Sequence, residues 1–348
     1  MHSITPPDDF LEYALSRGFG DIHIKIDPKS GMKAIIAIHS TKLGPALGGC
    51  RFIEYSDTNA AIWDVMRLAL GMSSKAALAN LPLGGGKAVI IKPKGNFNRN
   101  AYLDAFGDFV NELNGRYITA MDSGTNLDDM ERIATRTSYV ASLSGVNGDP
   151  SPSTAKGTFR GIQAAVQFKL KKQNLSGLRV AVQGLGNVGY LLVQYLREAG
   201  AIVTVADTNN ALVQKAVEAF GVQTASPETI HQIPCDVFAP CALGSVLNET
   251  TIPQLQAAIV AGAANNQLEH AYHGQMLHDK KILYVPDYVI NSGGLILAAS
   301  KYLQTSEELV SRQIDDIGAT LQKIFERSHQ ENKPTNVISD ALAMELLA

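Results

Sequence analysis

The chain has 348 residues, 45% hydrophobic and 18% charged, with a formal net charge of -3. At about one domain per 150 residues, this length suggests two domains of ordinary globular composition. The charge offers no basic face for nucleic acid and no polybasic signal for a membrane surface, so neither partner is expected.

Cys50, Cys235 and Cys241 are few and suit no common zinc ribbon, so they read as reduced thiols of a cytoplasmic protein with no metal site. The opening residues, MHSITPPDDF, lack a basic segment followed by an apolar one, so no export signal is expected. No apolar run approaches about 18 residues, so no membrane span is expected either.

In chain order, the apolar spacing of Phe10, Leu11, Ala14 and Leu15 predicts a helix over 8–17. Residues 33–39 (KAIIAIH) read as a strand, and the glycines and proline of 44–51 (GPALGGCR) as a loop. A helix follows over 59–72, a strand over 87–91, a helix over 100–113 and a short strand over 117–120 ahead of Asp122. Residues 128–137 read as a helix capped near Asn126 or Asp128. Residues 144–153 (SGVNGDPSPS) are the clearest linker.

Beyond it, a long helix is expected over 157–169. Strands are expected over 179–183, 202–206, 237–239, 259–261 and 282–284, alternating with helices over 190–199, 211–220 and 252–256. Strands that alternate with helices, without hairpin turns, predict a parallel doubly wound sheet. The fold class is therefore α/β, with an N-terminal mixed-sheet substrate domain and a C-terminal Rossmann domain. The expected divisions are 1–145, 146–330 for the doubly wound sheet, and 331–348 for a C-terminal helix packing back on the N-terminal domain. The apolar residues Ile338, Leu342, Met344 and Leu347 support that last helix.

Gly184-Leu185-Gly186-Asn187-Val188-Gly189 spells G-x-G-x-x-G after an apolar strand and before a helix. Alone this motif is weak. Here Asp207 ends the next strand, 21 residues after Gly186, close to the spacing of about 20 expected for a ribose-binding acid. Gly184 permits the turn, Gly186 lets the backbone approach a pyrophosphate, and Gly189 lets the helix pack on the strand. The first amides of the helix, around Asn187 and Val188, then face phosphate charge. Asp207 would accept from the ribose hydroxyls and repel a 2′-phosphate. With no arginine among Thr208, Asn209 and Asn210, NAD is the expected cofactor.

Lys87 lies between a glycine run and an apolar strand in 83–91 (LGGGKAVII). This is not a phosphate-binding P-loop, since Leu81 stands where its first glycine belongs and Ala88 where Ser or Thr belongs. Desolvation at such a place disfavours the charged amine, which can then act as a base or hold an oxyanion. Lys75, in GMSSKAALA, can pair with a substrate carboxylate. Asp122 follows a strand, where α/β folds place chemistry, and can shuttle protons. Taken singly, each lysine also reads as a solvated charge and Asp122 as a turn or capping residue.

Together, these segments resemble the leucine/phenylalanine/valine branch of the Glu/Leu/Phe/Val amino-acid dehydrogenases. The resemblance runs through 44–51, 71–76 (GMSSKA), 84–89 (GGGKAV), 122–129 (DSGTNLDD), 150–157 (PSPSTAKG), the GLGNVG run, 261–268 (AGAANNQL) and 286–295 (PDYVINSGGL), in matching order and spacing. It implies that Lys87 is the catalytic lysine, Lys75 the lysine binding the substrate carboxylate, and Asp122 the acid assisting proton transfer. It puts Thr154 near the nicotinamide amide, Asn266 near the substrate carboxylate and the ribose, and Asn291 in a late motif closing over the reacting centre. One departure stands out: the family usually reads M-T-Y-K, whereas this chain reads Met72-Ser73-Ser74-Lys75.

The implied reaction is hydride transfer from the α-carbon to NAD, water attack on the resulting iminium assisted by Lys87, and a proton relay through Asp122. The products are ammonia and a 2-oxo acid. Two domains flanking a cleft would suit it, since closure expels water. By analogy the side-chain pocket is walled by Leu47, Gly48, Ala120, Leu295 and Ala298, all small or apolar. Burying a glutamate carboxylate there is costly, so leucine or another branched-chain residue fits best. Phenylalanine, valine and tryptophan remain open, because about 1–3 kcal/mol separates neighbours in such a pocket.

Two other functions are open from sequence. A 2-hydroxy-acid dehydrogenase would use a histidine base with an arginine for the carboxylate, and none of the eight histidines lies in such a motif. A non-catalytic NAD-binding homologue would keep the fold alone. The resemblance implies that 1–145 binds substrate, carries catalysis and assembles the chain as a homo-oligomer, a dimer or octamer, that 146–330 binds the dinucleotide, and that the other partners are an amino acid and a 2-oxo acid.

Overall fold

A computed structural model describes residues 7–141, 143, 149–242 and 244–348. They form two compact units. One takes the described residues of 4–148 with 298–306 and 343–348; the other takes 149–297 and 307–342. Of the expected linker, 144–148 lie outside the described residues, and its end, from Ser151, is already helical. Among the described residues, no helix is long and apolar enough to cross a membrane. Nor does any group of three or more His, Cys, Asp or Glu stand where it could hold a metal ion.

The first unit is built on one five-stranded sheet. Its strands are β1 (Asp21–Asp27), β2 (Met32–Ser40), β3 (Ala46–Ile53), β4 (Gly84–Ile91) and β5 (Tyr117–Met121), in the order β1-β2-β4-β3-β5. The β1–β2 and β2–β4 pairs are antiparallel, and β3 runs parallel to both β4 and β5. Helix α1 (Phe10–Ser16) and helix α2 (Thr58–Leu78) cover one face. There Val65, Met66 and Ala69 pack on Ile35, Ala37 and Val89. Helix α3 (Arg99–Glu112) and helix α4 (Leu127–Ala134) cover the other, with Phe106 and Ile133 on Phe52, Ala88 and Tyr117. Asn126 caps α4 in a reciprocal box with Asp129.

Two expectations for this unit are corrected. Strand β1 was not anticipated, although Ile22, Ile24 and Ile26 alternate along it. Residues 46–53 form the strand β3, not a loop. Their glycines answer crowding rather than turning: a Cβ on Gly48 would stand 1.8 Å from the Gly86 carbonyl oxygen on the neighbouring strand.

The second unit is a six-stranded parallel sheet. Its strands are β6 (Arg179–Gln183), β7 (Ile202–Ala206), β8 (Gln223–Thr224), β9 (Cys235–Pro240), β10 (Ala257–Val260) and β11 (Leu283–Tyr284), in the order β11-β10-β9-β6-β7-β8. The order reverses at the β6–β9 pair, the switch point where doubly wound sheets bind ligands. Helix α5 (Ser151–Leu170) packs on α6 (Asn187–Glu198) and on α11 (Glu307–Glu331). Helix α7 (Asn210–Phe220) links β7 to β8, and α8 (His273–Asp279) and α9 (Asp287–Ile290) flank β11 in the chain. The helix expected over 252–256 is only a 3-10 turn, Ile252–Gln254, which ends where Leu255 becomes extended.

Helices α10 (Gly293–Tyr302) and α12 (Thr335–Leu347) each contribute to both units. At the start of α12, Thr335 Oγ1 donates to the Tyr284 carbonyl, and Tyr288 donates to Asp340. Beyond its end, the Ala348 oxygen accepts from Lys42 Nζ in the first unit.

Helix α2 sits so close to β4 that a Cβ on Gly85 would lie 2.0 Å from the Ser73 backbone nitrogen. That contact is backbone to backbone and has no flexible end to move. Gly85→Ala should therefore destabilise the protein by about 3 kcal/mol, the upper range for overpacking. Urea unfolding checks this; a loss under about 0.5 kcal/mol would contradict it.

Candidate active site

Strand register puts the first cluster together. Leu47 pairs with Gly85, and Cys50 with Ala88, so Gly49 lies level with Lys87 on β4 and with Ala120 on β5. Alternation then sends Leu47, Gly49, Arg51, Lys87, Ala120 and Asp122 to the face covered by α2. Gly48 belongs to the opposite face, where its carbonyl accepts from Tyr117 Oη at 2.6 Å. Lys75 stands half-buried in the last turn of α2, two residues past Ser73, whose hydroxyl reaches the Gly85 carbonyl at 3.4 Å.

Lys87 is 7% exposed and its ammonium pairs with Asp122 Oδ2. Its side chain crosses β3 over Gly49, where a Cβ would meet Asp122 Cβ at 2.8 Å. The glycine makes the pair possible. The other carboxylate oxygen, Oδ1, accepts from the Ser123 N–H at 2.6 Å. The Asp122 N–H in turn donates to Thr125 Oγ1, at 2.9 Å. Arg99 pins this turn by donating to the Gly124 carbonyl while pairing with buried Asp129. Burial alone would raise the Asp122 carboxyl. The Lys87 charge and hydrogen bond, the Ser123 N–H and Arg51 outweigh it and hold the group below the ordinary carboxylate range.

Sequence reasoning missed Arg51 and Asp64. Arg51 donates to Asp64 Oδ2 at 2.8 Å, and its Nε lies 3.7 Å from Asp122 Oδ2. The pairing joins β3 to α2, and no local motif marks it.

The second cluster lies at the carboxyl ends of β6, β7, β9 and β10. Gly184 follows β6 with φ +100°, and a Cβ there would stand 2.7 Å from the Ala242 nitrogen just beyond β9. Gly189 packs α6 down: its Cβ would stand 2.1 Å from the Gly184 oxygen. Gly186 caps α6, and no side chain satisfies that cap. Nothing lies within 4 Å of where its Cβ would be. The exposed amides of Gly186, Asn187 and half-buried Val188 thus open on free space, which fits an anionic pyrophosphate. Asp207 follows β7. It accepts from the Leu185 N–H at 2.6 Å and the Asn209 N–H at 2.7 Å. Each oxygen keeps a lone pair, so the acid can brace the glycine loop and still receive a ribose hydroxyl.

Asn266 is exposed, in the left-handed region at φ +53°. Three side chains brace its loop. Gln267 Nε2 donates to the Gly262 and Ala264 carbonyls, and Asp287 Oδ2 accepts from the Gln267 N–H. Asn291, 4% exposed, donates to Asn265 Oδ1 at 2.7 Å and to the Ala263 carbonyl at 3.1 Å. Asn291 therefore supports the loop that carries Asn266. Thr154 sits in the first turn of α5, where its hydroxyl donates to the Pro150 carbonyl at 2.9 Å. Leu295 and Ala298 are half-buried on α10.

Removing Asp122 strands a buried ammonium. Asp122→Ala should cost roughly 3 kcal/mol near neutral pH, the scale for breaking a buried pair. Because the folded carboxyl titrates below its unfolded value, this stabilisation holds above about pH 4 and fades on further acidification. Urea melts of both proteins at several pH values check this; equal stability at neutral pH would contradict it.

Residues 19–139 match the family described as "Glu/Leu/Phe/Val dehydrogenase, dimerisation domain". Residues 145–218 and 213–346 match "Glutamate/Leucine/Phenylalanine/Valine dehydrogenase". The chain is 47% identical over 322 residues to a leucine dehydrogenase of Geobacillus stearothermophilus, covering 92% of this chain and 88% of that one. It is 41% identical over 325 residues to a phenylalanine dehydrogenase of Thermoactinomyces intermedius, covering 92% and 89%. The crystal structure of an L-tryptophan dehydrogenase from Nostoc punctiforme superposes with a TM-score of 0.90 at 42% identity, covering 97% of this chain and 98% of that one. The chain belongs to the Glu/Leu/Phe/Val dehydrogenase family of amino-acid dehydrogenases.

Proposed function

We propose that this chain is a cytoplasmic, NAD-dependent dehydrogenase that reversibly deaminates leucine or another branched-chain L-amino acid to its 2-oxo acid. The pair of buried Lys87 with half-buried Asp122 carries the reading. An amine and a carboxylate in contact can pass a proton between water, substrate nitrogen and each other. Of the walls expected around the side chain, Leu47, Ala120, Leu295 and Ala298 carry no charge, which disfavours glutamate; Gly48 belongs to the other face of the sheet and is not among them.

In this reading the ammonium of Lys75 holds the substrate α-carboxylate, and Asn266 orients it. Bound NAD supplies the acceptor for the hydride that leaves the α-carbon. The amine of Lys87 takes a proton from the water that attacks the iminium carbon. Asp122 then relays a proton to the departing nitrogen, so that ammonia leaves and the carbonyl forms. Asp207 would select NAD, since a carboxylate there would accept from ribose hydroxyls and repel a 2′-phosphate. Serine at position 74 leaves the lysine frame intact: Ser74 is 6% exposed and its hydroxyl returns to the Leu70 carbonyl at 3.3 Å.

We also propose a homo-oligomer, a dimer or octamer, assembled through the first unit. Edge strand β1 supports this, with Ile24 60% and Ile26 63% exposed beside an open row of backbone groups.

A panel of L-amino acids with NAD, followed by NADH absorbance, tests the substrate. Branched aliphatic residues should turn over fastest and glutamate not measurably; equal rates with glutamate would overturn the reading. Lys87→Ala should abolish turnover while NAD affinity stays within a few-fold, and parental activity in that variant would remove Lys87 from the chemistry. Asp207→Ala should weaken NAD and admit NADP. A parent protein that already prefers NADP would refute the cofactor argument.

A further inference from the structure

Arg51 carries a polar group that the mechanism above leaves unused. Its Nε is buried and makes no hydrogen bond. A buried donor without a partner is rare enough to call for a physical reason. Here the donor stands 3.7 Å from Asp122 Oδ2, just outside hydrogen-bond range, while Lys87 pairs with the same oxygen. The far side of the guanidinium is anchored. Its terminal nitrogen donates to Asp64 Oδ2 at 2.8 Å, and Asp64 is held by the Tyr55 hydroxyl at 2.8 Å and by Arg67 at 3.1 Å. The arginine is thus fixed at one end and poised at the other.

We propose that Arg51 is a positioning residue that takes over Asp122 when Lys87 turns its amine to the substrate. This rests on the reading that Lys87 and Asp122 exchange protons during deamination. Once Lys87 leaves or loses its charge, Asp122 would be a lone carboxylate in a largely buried site, which is costly. A guanidinium never gives up its proton in a protein, so it supplies a permanent counter-charge. Its rigid fork can hold Asp64 and Asp122 on separate nitrogens, whereas an ammonium offers one nitrogen on a flexible stem. Arg51 also contributes to the lowering of the Asp122 carboxyl, after Lys87 and Ser123. Lys87 from β4 and Arg51 from β3 face Asp122, while the Cys50 thiol and the Tyr117 hydroxyl feel its charge from the other side of the sheet. Of these, Arg51 is the cation that need not move in the reaction.

The test is the pH dependence of L-leucine oxidation by the full chain, compared for the parent, Arg51→Gln and Arg51→Lys. Arg51→Gln should lower kcat roughly tenfold or more, since an ångström of misplacement can cost about a hundredfold. Removing the cation raises the carboxyl, so the acid limb of kcat/KM should move up by about one pH unit. Arg51→Lys should return that limb to the parental position but recover only part of kcat. A folded Arg51→Gln protein with an unmoved acid limb would overturn the proposal. Should Arg51→Gln fail to fold, Arg51→Lys decides: reduced kcat with the limb in place supports the proposal, and parental kcat overturns it. An inactive parent sinks the deamination reading and this inference with it, whereas an active parent with indifferent Arg51 variants sinks the inference alone.

Discussion

A buried ammonium and a half-buried carboxylate are each expensive to keep out of water, and this fold keeps both by placing them against one another across a glycine. Lys87 is on β4 and Asp122 follows β5, with β3 between them. Any side chain at position 49 would stand in the way, since its first carbon would meet Asp122 at 2.8 Å. The sheet, the glycine run and helix α2 are therefore one arrangement. Close packing of α2 on Gly85 closes that face over the pair, and low exposure strengthens the interaction that bulk water would weaken.

The second unit solves a different electrostatic problem. A pyrophosphate needs donors without bulk, and the turn from β6 into α6 offers open backbone amides at Gly186 and beyond. A ribose needs acceptors, and Asp207, proposed to supply them, braces the same turn through the Leu185 N–H. The loop bearing Asn266 is held by the buried amides of Gln267 and Asn291 and by Asp287, so an exposed polar side chain rests on a rigid support.

Legibility in the sequence followed the range of the interactions. Strands β6 and β7 appear over the spans expected from their apolar runs, because each is a short buried strand bounded by local turn signals. The dinucleotide fingerprint was equally legible, since its glycines, helix and acid lie within one β-α-β unit. Strand β3 was not, because glycine near proline usually marks a turn, and only the neighbouring strands explain Gly48 and Gly49. Arg51 was invisible for a similar reason: its partners Asp64 and Asp122 come from α2 and from the turn after β5. Lys87, Lys75 and Asp122 stood out less by their own spacing than by the resemblance of the segments that carry them. The support role of Asn291 could not be read at all, since it depends on a loop some 26 residues away in the chain.

The central claim is that Lys87 and Asp122 together handle the protons at the reacting carbon. The most direct measurement is a crystal structure of the full chain with NADH and 4-methyl-2-oxopentanoate bound. The account predicts Lys87 Nζ within about 3.5 Å of the 2-oxo group, the distance reacting atoms need, with Asp122 still in contact with the amine or with Arg51. A 2-oxo acid seated beside the nicotinamide with Lys87 turned elsewhere would contradict it.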